Sequence, residues 1–547
     1  MKSGNKKLVL VYPPYSTATA PPLGVCFLKS FVEKSLPNWS VKVMDLNLTA
    51  HQDYFSLLDH HFCSAGDNMT ARLAAETLLS QAARTFSGQN DNEFYNRADR
   101  YLLYSGLWHN LSLQLANPSL MGKVYPQTET VPAQFTQYVE LILQEQPTVI
   151  GLSICYTQQL YMGLCLAREI KKYCDIPVIA GGTFFNSKPD EFLDANPGVF
   201  DFIISGEAEK SLAEFLKLEL VPETVAGLVY LKDGKAIANP PVIEGDLDYM
   251  GEPDFSDLNL HSYYIPEPVL PIMTSRGCYW QRCAFCAHYK SAGHTYRRRS
   301  ISQVIEEIKK HVGKGIRNFA IIDEMIAPSQ FEQLADAIMK ADLDIRYYAS
   351  AKPMNQFNRH LLVKMYDSGC RYILWGVESG CQRILDLMDK GTNIQEIEQI
   401  LENAYQVGLK NHVFVIFGFP TETRQELQLT LDLLARHKKT IAMVHRGVYE
   451  LEADTPVFNE PQKFSITRYR TSNTPGVYEF GCSAGMTRQE SREAFNKNIL
   501  FLRSFATDTP ELGDAKFRDH LLLLYSHQEA AKPYNRKCDH ETIVSCR

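Results

Sequence analysis

Three cysteines between Arg276 and Ala287 carry the clearest chemistry in the sequence. The segment reads Arg276-Gly277-Cys278-Tyr279-Trp280-Gln281-Arg282-Cys283-Ala284-Phe285-Cys286, a C-x4-C-x2-C spacing directly after the apolar stretch Val269-Leu270-Pro271-Ile272-Met273. Core packing has no use for three soft thiols this close together. Thiolates so spaced can wrap one metal centre, and three of them leave one coordination position open. An open position suits a reactive centre. A closed zinc knuckle needs a fourth ligand, which His288 or His294 could supply, because zinc accepts sulfur and nitrogen together.

The elements around this loop set where it can act. From Val269 onward apolar strands alternate six times with helices, the strands lying near Pro271–Ser275, Phe319–Asp323, Tyr347–Ser350, Tyr372–Val377, His412–Phe417 and Met443–Glu450. Six such units predict a partial (β/α)6 barrel over 266–450, with functional groups at the strand C-termini and the cysteine loop opening at that mouth. An earlier block, 1–221, shows the same rhythm in Lys7–Tyr12, Val41–Leu46, Thr148–Ser153, Val178–Gly182 and Phe202–Glu207. It reads as a Rossmann-like, doubly wound α/β domain whose glycine and serine turns fall at strand C-termini, where such sheets bind ligands. Residues of about 50–140 interrupt it with a Gln-, Asn-, Ala- and Leu-rich helical insertion, either a structural elaboration or a platform for substrate or partner. Residues 222–265 read as a β-rich linker. Residues 451–547 form a C-terminal α/β region placed to cover a substrate site.

The totals narrow the function classes. The chain has 547 residues, 45% of them apolar, and a net charge of −7. Arg297-Arg298-Arg299 is too short for a nucleic-acid footprint and is expected to sit solvated at a helix entrance. There is no signal-peptide pattern and no apolar run of about 18 residues, so no membrane partner is expected. Thirteen cysteines in so long a chain do not make a disulfide scaffold; clustered thiols point to a reducing cytoplasm. Neither an H-E-x-x-H string nor a phosphate-binding P-loop occurs.

A cysteine triplet after the first strand of a six-unit βα array resembles the radical S-adenosylmethionine (SAM) superfamily. In that family three thiolates hold a four-iron–four-sulfur cluster whose fourth iron binds SAM. The usual spacing is x3 then x2; here it is x4 then x2, which lengthens one loop without removing a ligand. Gly376-Val377-Glu378-Ser379-Gly380, followed by Arg383, Met388 and Lys390-Gly391, resembles the family's fourth-strand segment. Gly418-Phe419-Pro420-Thr421-Glu422-Thr423 resembles its fifth-strand turn, with threonine where glycine is usual. The resemblance implies that Cys278, Cys283 and Cys286 hold the cluster. It implies SAM contacts from Phe285, Glu324, Ser350, Lys352, Glu378 and Ser379, residue types able to complement an ammonium, a carboxylate, a ribose diol and an adenine.

The first block is similar to the cobalamin-binding domain fused ahead of many radical SAM enzymes. The matching strings are Pro21-Pro22-Leu23-Gly24, Gly151-Leu152-Ser153, Ala180-Gly181-Gly182-Thr183 and Ser205-Gly206-Glu207-Ala208-Glu209. By this resemblance Leu23, Gly24, Ser153, Gly181, Gly182, Thr183 and Gly206 contact the corrin. The D-x-H-x-x-G loop that ligates cobalt elsewhere is absent from the sequence. The resemblance implies a cobalamin-dependent radical SAM methyltransferase acting on an unactivated carbon of a small molecule or peptide, supplied with electrons by a flavodoxin or ferredoxin. A cyclisation, ring contraction or rearrangement without methyl transfer is the alternative chemistry; a non-catalytic cobalamin or iron–sulfur sensor is the remote one.

Overall fold

Two parallel sheets form where the sequence alternates apolar runs with amphipathic helices. The computed structural model describes residues 6–61, 78, 80–115, 133–287, 295–472, 476–505 and 517–530. His288 and His294, much of the 50–140 insertion and parts of the C-terminal region lie outside the described residues.

In the first sheet β1 (Lys6–Tyr12), β2 (Trp39–Asp45), β3 (Val149–Ser153), β4 (Val178–Gly181) and β5 (Phe202–Ile204) run parallel in the order β2-β1-β3-β4-β5. Leu8 and Leu10 pack on one side with Phe27 and Phe215, while Val9 and Val11 pack on the other with Ile142 and Ile170. Both faces are covered by helices, the doubly wound arrangement. The segment 222–265 is more than a linker. Its β6 (Leu228–Lys232) and β7 (Lys235–Ala238) form an antiparallel hairpin that extends this sheet to seven strands. Asp233 and Gly234 at the hairpin tip both take positive φ, the requirement of a two-residue turn that Asp-Gly meets at low cost.

The second sheet contains β8 (Val269–Ile272), β11 (Asn318–Ile321), β12 (Arg346–Ala351), β13 (Cys370–Glu378), β14 (Lys410–Phe417) and β15 (Ile441–Val448), all parallel and in chain order. The short strands β9 (Ser275–Arg276) and β10 (Arg297–Arg298) pair antiparallel beside it. One face, with Leu270, Phe319, Tyr347, Ile373 and Val413, packs on the connecting helices. The opposite face, with Val269, Ala320, Tyr348, Tyr372, Leu374 and Met443, is filled by the C-terminal helix Arg518–Ala530 and by insertion residues such as Phe86, Tyr101 and Trp108. Asp519 locks this plug, accepting from Tyr348 Oη at 2.8 Å and from Thr19 Oγ1 at 2.6 Å. The rest of the C-terminal region supplies β16 (Leu451–Glu452), β17 (Ile466–Thr471) and β18 (Val477–Cys482) as an antiparallel sheet, then the helix Arg488–Arg503.

Of the arginine triplet only Arg298 is exposed as expected. Arg297 and Arg299 are buried. Arg299 pairs with Glu307 at 2.7 Å, donates to the Met273 carbonyl at 2.9 Å and lies over Phe27. Arg297 donates to Glu207 of the first domain and to the Glu244 carbonyl. Burial of guanidinium groups is tolerable because each has carboxylate and carbonyl acceptors.

Candidate active site

The cysteine loop leaves β9 and is fastened on three sides. Asp323, buried after β11, accepts from Thr274 N at 2.7 Å and from the hydroxyls of Thr274 and Ser275, and Cys278 bridges Met325. Burial pushes the Asp323 carboxyl up, and these donors counter it. Asp323 therefore holds the strand that enters the loop, while Glu324 beside it is exposed. On the far side Ala284 N donates to the Met388 carbonyl at 2.7 Å, and Trp280 Nε1 donates to the Asp389 carbonyl at 2.6 Å. Gly391, at φ +61°, lies against the Trp280 ring so closely that an added Cβ would stand 2.1 Å from it. This contact explains why glycine follows Lys390.

Two lysines border the loop. Lys390, buried, pairs with Glu378 at 2.8 Å and lies 5.6 Å from the centre of the Phe285 ring. Burial works against its charge, but the Glu378 carboxylate beside it holds the ammonium above the usual lysine range. Glu378 reaches this position through a β-bulge between Gly376 and Glu378 and a left-handed φ of +67°. Lys352, at the end of β12, is fully buried, with Nζ 3.1 Å from the Trp280 ring centre and no hydrogen-bond partner. Burial, with Lys390 nearby, lowers its proton affinity to about 7.

Ser350 lies half-buried on β12, and its carbonyl accepts from Ile326 N at 3.2 Å. Ser379 is turned into the fold. Its hydroxyl accepts from Cys381 N at 3.1 Å and meets Thr430 Oγ1 at 3.3 Å, so it secures the turn after β13. Thr421 sits at φ +73°, which explains why glycine is usual at that place in the resembling turn. Glu422 is buried, accepts from Gly418 N at 2.7 Å, and has its carboxyl pushed up to about 8 by burial.

At the first sheet, the loops after β3, β4 and β5 come together. Ile154 N donates to Gly181 O at 2.7 Å, Thr183 Oγ1 to Cys155 O at 2.9 Å, and Gly206 N to Asn186 Oδ1 at 3.0 Å. Ser153 belongs to the same cluster, its Oγ 3.8 Å from Cys155 Sγ. Gln159 ties in the loop after β1, donating to Pro13 O at 2.9 Å. Here the strand order reverses, the place where doubly wound sheets take ligands. Gly182 has an internal reason to be glycine, since a Cβ would stand 2.3 Å from Ile154 O. Leu23 is buried in the core, while Gly24 next to it is exposed.

The two centres are physically joined. Arg276, two residues before Cys278, donates to Glu209 and lies 3.4 Å from Glu207, both on the loop-to-helix turn after β5. Arg297 donates to the same Glu207. Sequence reasoning missed these pairs, although Glu207 and Glu209 belong to the glycine-containing segment after the fifth strand; their partners lie 67 and 90 residues away.

A cavity of about 1090 Å³ opens beside the cysteine loop. Phe285 and Glu378 line it together with Phe414, His445, Arg446, Arg503 and Arg518.

Comparisons with known proteins fit this geometry. A model of the radical SAM superfamily matches residues 272–434, and a model of the B12 binding domain matches residues 106–216. The chain joins a B12-binding domain to a radical SAM domain. The B12 match starts within the expected 50–140 insertion, and so assigns the helix Ala133–Gln144 to the B12-binding domain. An uncharacterized methyltransferase of Pyrococcus horikoshii is 28% identical over 306 residues, covering 54% of this chain and 66% of that protein. The anaerobic magnesium-protoporphyrin IX monomethyl ester cyclase of Rubrivivax gelatinosus is 26% identical, covering 54% and 55%. The chain thus spans between about half and two thirds of these relatives' length. The solved structure of the cobalamin-dependent S-adenosylmethionine radical enzyme OxsB with aqua-cobalamin bound superposes with a TM-score of 0.66 at 16% identity, covering 96% of this chain and 71% of that one. The fold is shared.

The radical SAM domain brings a four-iron–four-sulfur cluster with SAM, and the B12-binding domain brings cobalamin, as cofactors. The residues fit the cluster and SAM. Cys278, Cys283 and Cys286 are half-buried on one loop, and none is in a disulfide. Among the described residues no three or more His, Cys, Asp or Glu side chains are grouped to hold one metal ion. A four-iron cluster asks for something else, because its thiolates bind separate irons at separate corners. The unpartnered Nζ of buried Lys352 is a donor lacking an acceptor, which an anionic cluster or a SAM carboxylate would supply. No helix among the described residues is long and apolar enough to cross a membrane.

Proposed function

We propose that the protein methylates an unactivated carbon, or a similarly poor nucleophile, of a natural-product or peptide intermediate. The observation that carries this reading is the ion-paired junction of Arg276 with Glu209, which sets the B12-binding domain directly against the cysteine loop. The name of the Pyrococcus relative supports methyl transfer. When bound, the cluster and SAM supply a 5′-deoxyadenosyl radical, and methylcobalamin supplies the methyl group.

The chain's own tasks are binding, orientation and exclusion of water. Cys278, Cys283 and Cys286 would hold the cluster. Lys352, with Glu378, Ser350, Glu324 and Phe285, would hold SAM, Lys352 facing an anion and Phe285 a planar surface. Lys390 neutralises Glu378, so the carboxylate is fixed rather than left to repel the thiolates. Gly24, Ser153, Gly181, Thr183 and Gly206 would border the corrin, while Leu23 and Gly182 shape the fold beneath it. A reducing cytoplasm and a flavodoxin- or ferredoxin-type electron donor complete the reading.

The test is anaerobic reconstitution with methyl-labelled SAM and a reductant. Label in product together with 5′-deoxyadenosine is the expected result. 5′-Deoxyadenosine with an unlabelled, rearranged product would favour cyclisation, the chemistry named for the Rubrivivax relative. Absence of 5′-deoxyadenosine would overturn the enzymatic reading.

A further inference from the structure

We infer that His445 receives a neutral hydrogen-bonding group of the substrate, a carbonyl oxygen or an N–H or O–H, and that Tyr525, which is no part of the cavity wall, sets which of the two it takes. The inference rests on the reading of the cavity of about 1090 Å³ beside the cysteine loop as the substrate site.

Three residues form one hydrogen-bonded row across the second sheet. His445 stands on β15 and lines the cavity, and its Nε2 lies 3.2 Å from Nδ1 of His412 on β14. His412 Nε2 lies 2.9 Å from the Tyr525 hydroxyl on the C-terminal helix. Flat neighbours fix both imidazoles. Tyr372 stacks on His412 with ring centres 4.4 Å apart, and Phe414 on His445 at 4.9 Å. His412 and Tyr525 are buried, whereas His445 is half-buried. Among the described residues His445 Nδ1 has no hydrogen-bond partner, and it is not sealed in the core. The open end of the row is on the cavity wall.

Both rings are held neutral. Burial foremost, with Arg518 and Lys410 adding positive charge nearby, lowers the proton affinity of His412 well below the usual imidazole range. Burial, then Arg518 and Arg446, brings that of His445 down to about 3. A neutral imidazole has one N–H and one lone pair. The row therefore has two senses. If the Tyr525 hydroxyl donates, His412 donates onward through Nδ1 and His445 presents an N–H, the partner of a carbonyl oxygen. If the hydroxyl accepts from His412, His445 presents a lone pair, the partner of an N–H or O–H. A mixed row would set two donors or two acceptors face to face in the core, where an unmade hydrogen bond is costly. Phe414, Met443 and Leu521 are apolar parts of the same wall, so a polar substrate group placed among them needs His445 as its partner. Phe285 of the cysteine loop lines this cavity too, so a molecule held at His445 can reach the site of radical chemistry.

Calorimetric titration of the full, reconstituted chain with 1-indanone, indole and indane tests this. The three are bicyclic and close in size; the first only accepts a hydrogen bond, the second only donates one, and the third does neither. Either indanone or indole should bind about fivefold more tightly than the other two, the size of one net hydrogen bond. Which of them does so tells the sense of the row. His445→Phe keeps a flat ring and removes both nitrogens, and should bring the three affinities level. Tyr525→Phe, altered two residues along the row, should shrink the ratio between indanone and indole and leave indane binding unchanged, whereas a change of packing alone would move all three. A preference that persists in folded His445→Phe, or an unchanged ratio in folded Tyr525→Phe, would overturn the inference. Equal affinities in the unmodified protein, or none measurable for any probe, would overturn it whatever the variants do. Formation of 5′-deoxyadenosine from SAM is measured separately. Its presence without the probe preference defeats this inference alone, and its absence defeats the functional reading on which the inference rests.

Discussion

Arg276 Nη1 donates to Glu209 Oε2 at 3.2 Å, and its Nη2 donates to the other oxygen of the same carboxylate. Burial raises the Glu209 carboxyl, yet the guanidinium more than compensates and holds it below the usual range. Without the Glu209 charge Arg276 keeps only Glu207, at 3.4 Å, and loses a charge-assisted contact of about 1.5–3 kcal/mol. Glu209→Gln should therefore lower the first thermal transition by several degrees and loosen the contact between the domains. An unchanged melting profile and unchanged protease resistance of 222–265 would sink this expectation.

Anaerobic reconstitution should load about four irons and four sulfides per chain. Cys283→Ala should lose most of that iron, whereas Cys482→Ala, altered at the end of β18, should keep it. Colorimetric iron and sulfide analysis decides the matter, and full loading of Cys283→Ala would remove that cysteine from the ligand set.

Gly391→Ala should behave as a cluster-loading variant, although residue 391 is no ligand. The new Cβ would press on Trp280, which shares a loop with Cys278 and Cys283. Iron content should drop, and Trp280→Phe in the same chain should restore part of it by vacating the space. If Gly391→Ala alone loads iron fully, the loop tolerates more shift than these contacts allow.

Glu422 sets a pH dependence. Its folded value of about 8 stands above that of an unfolded glutamate, so the folded chain holds a proton that the unfolded chain has released. This contribution to stability is present below about pH 4.5 and is lost as pH rises through about 8. Glu422→Gln keeps the acceptor for Gly418 N and removes the titration. It should raise the melting temperature more at pH 8.5 than at pH 5.5, and an equal change at both would rule out Glu422 as the source.

Asp519→Ala should destabilise the C-terminal helix more than Tyr348→Phe does. The first leaves two buried hydroxyls without their acceptor, at about 1–3 kcal/mol each; the second removes one neutral-to-charged hydrogen bond. Hydrogen exchange across 517–530 reads the difference. Equal protection in both variants would show that packing alone seats the helix.

The strand framework and the cysteine loop were legible because both are local. Apolar runs of four to eight residues mark strands wherever they fall, and a thiol triplet is unusual at any position. Asp233-Gly234 was equally local, and read by its turn chemistry it would have marked the hairpin inside 222–265. The arginines were not legible. Nothing near Arg297 or Arg299 in sequence distinguishes a solvated basic run from one whose acceptors include Glu207 and Gly251, 90 and 48 residues earlier in the chain. Ser379 and Leu23 were assigned by resemblance, but a string cannot show that a hydroxyl is already taken by Thr430 or that a leucine is buried. The cavity lining was hidden for the same reason, since Arg446, Arg503 and Arg518 lie on three separate elements.

The C-terminal helix carries one more implication, concerning the order of assembly. Arg518–Ala530 follows all six strands of the second sheet in the chain, yet it covers the apolar face formed by Val269, Tyr348, Tyr372 and Leu374. A polypeptide leaving the ribosome thus completes its entire radical SAM sheet while that face still lacks its C-terminal helix. Such surface is prone to aggregate during synthesis. The insertion residues Phe86, Tyr101 and Trp108, made long before the sheet, are already present to shield part of it. The insertion can act in that interval as a built-in holding surface, with the last helix arriving to complete the seal.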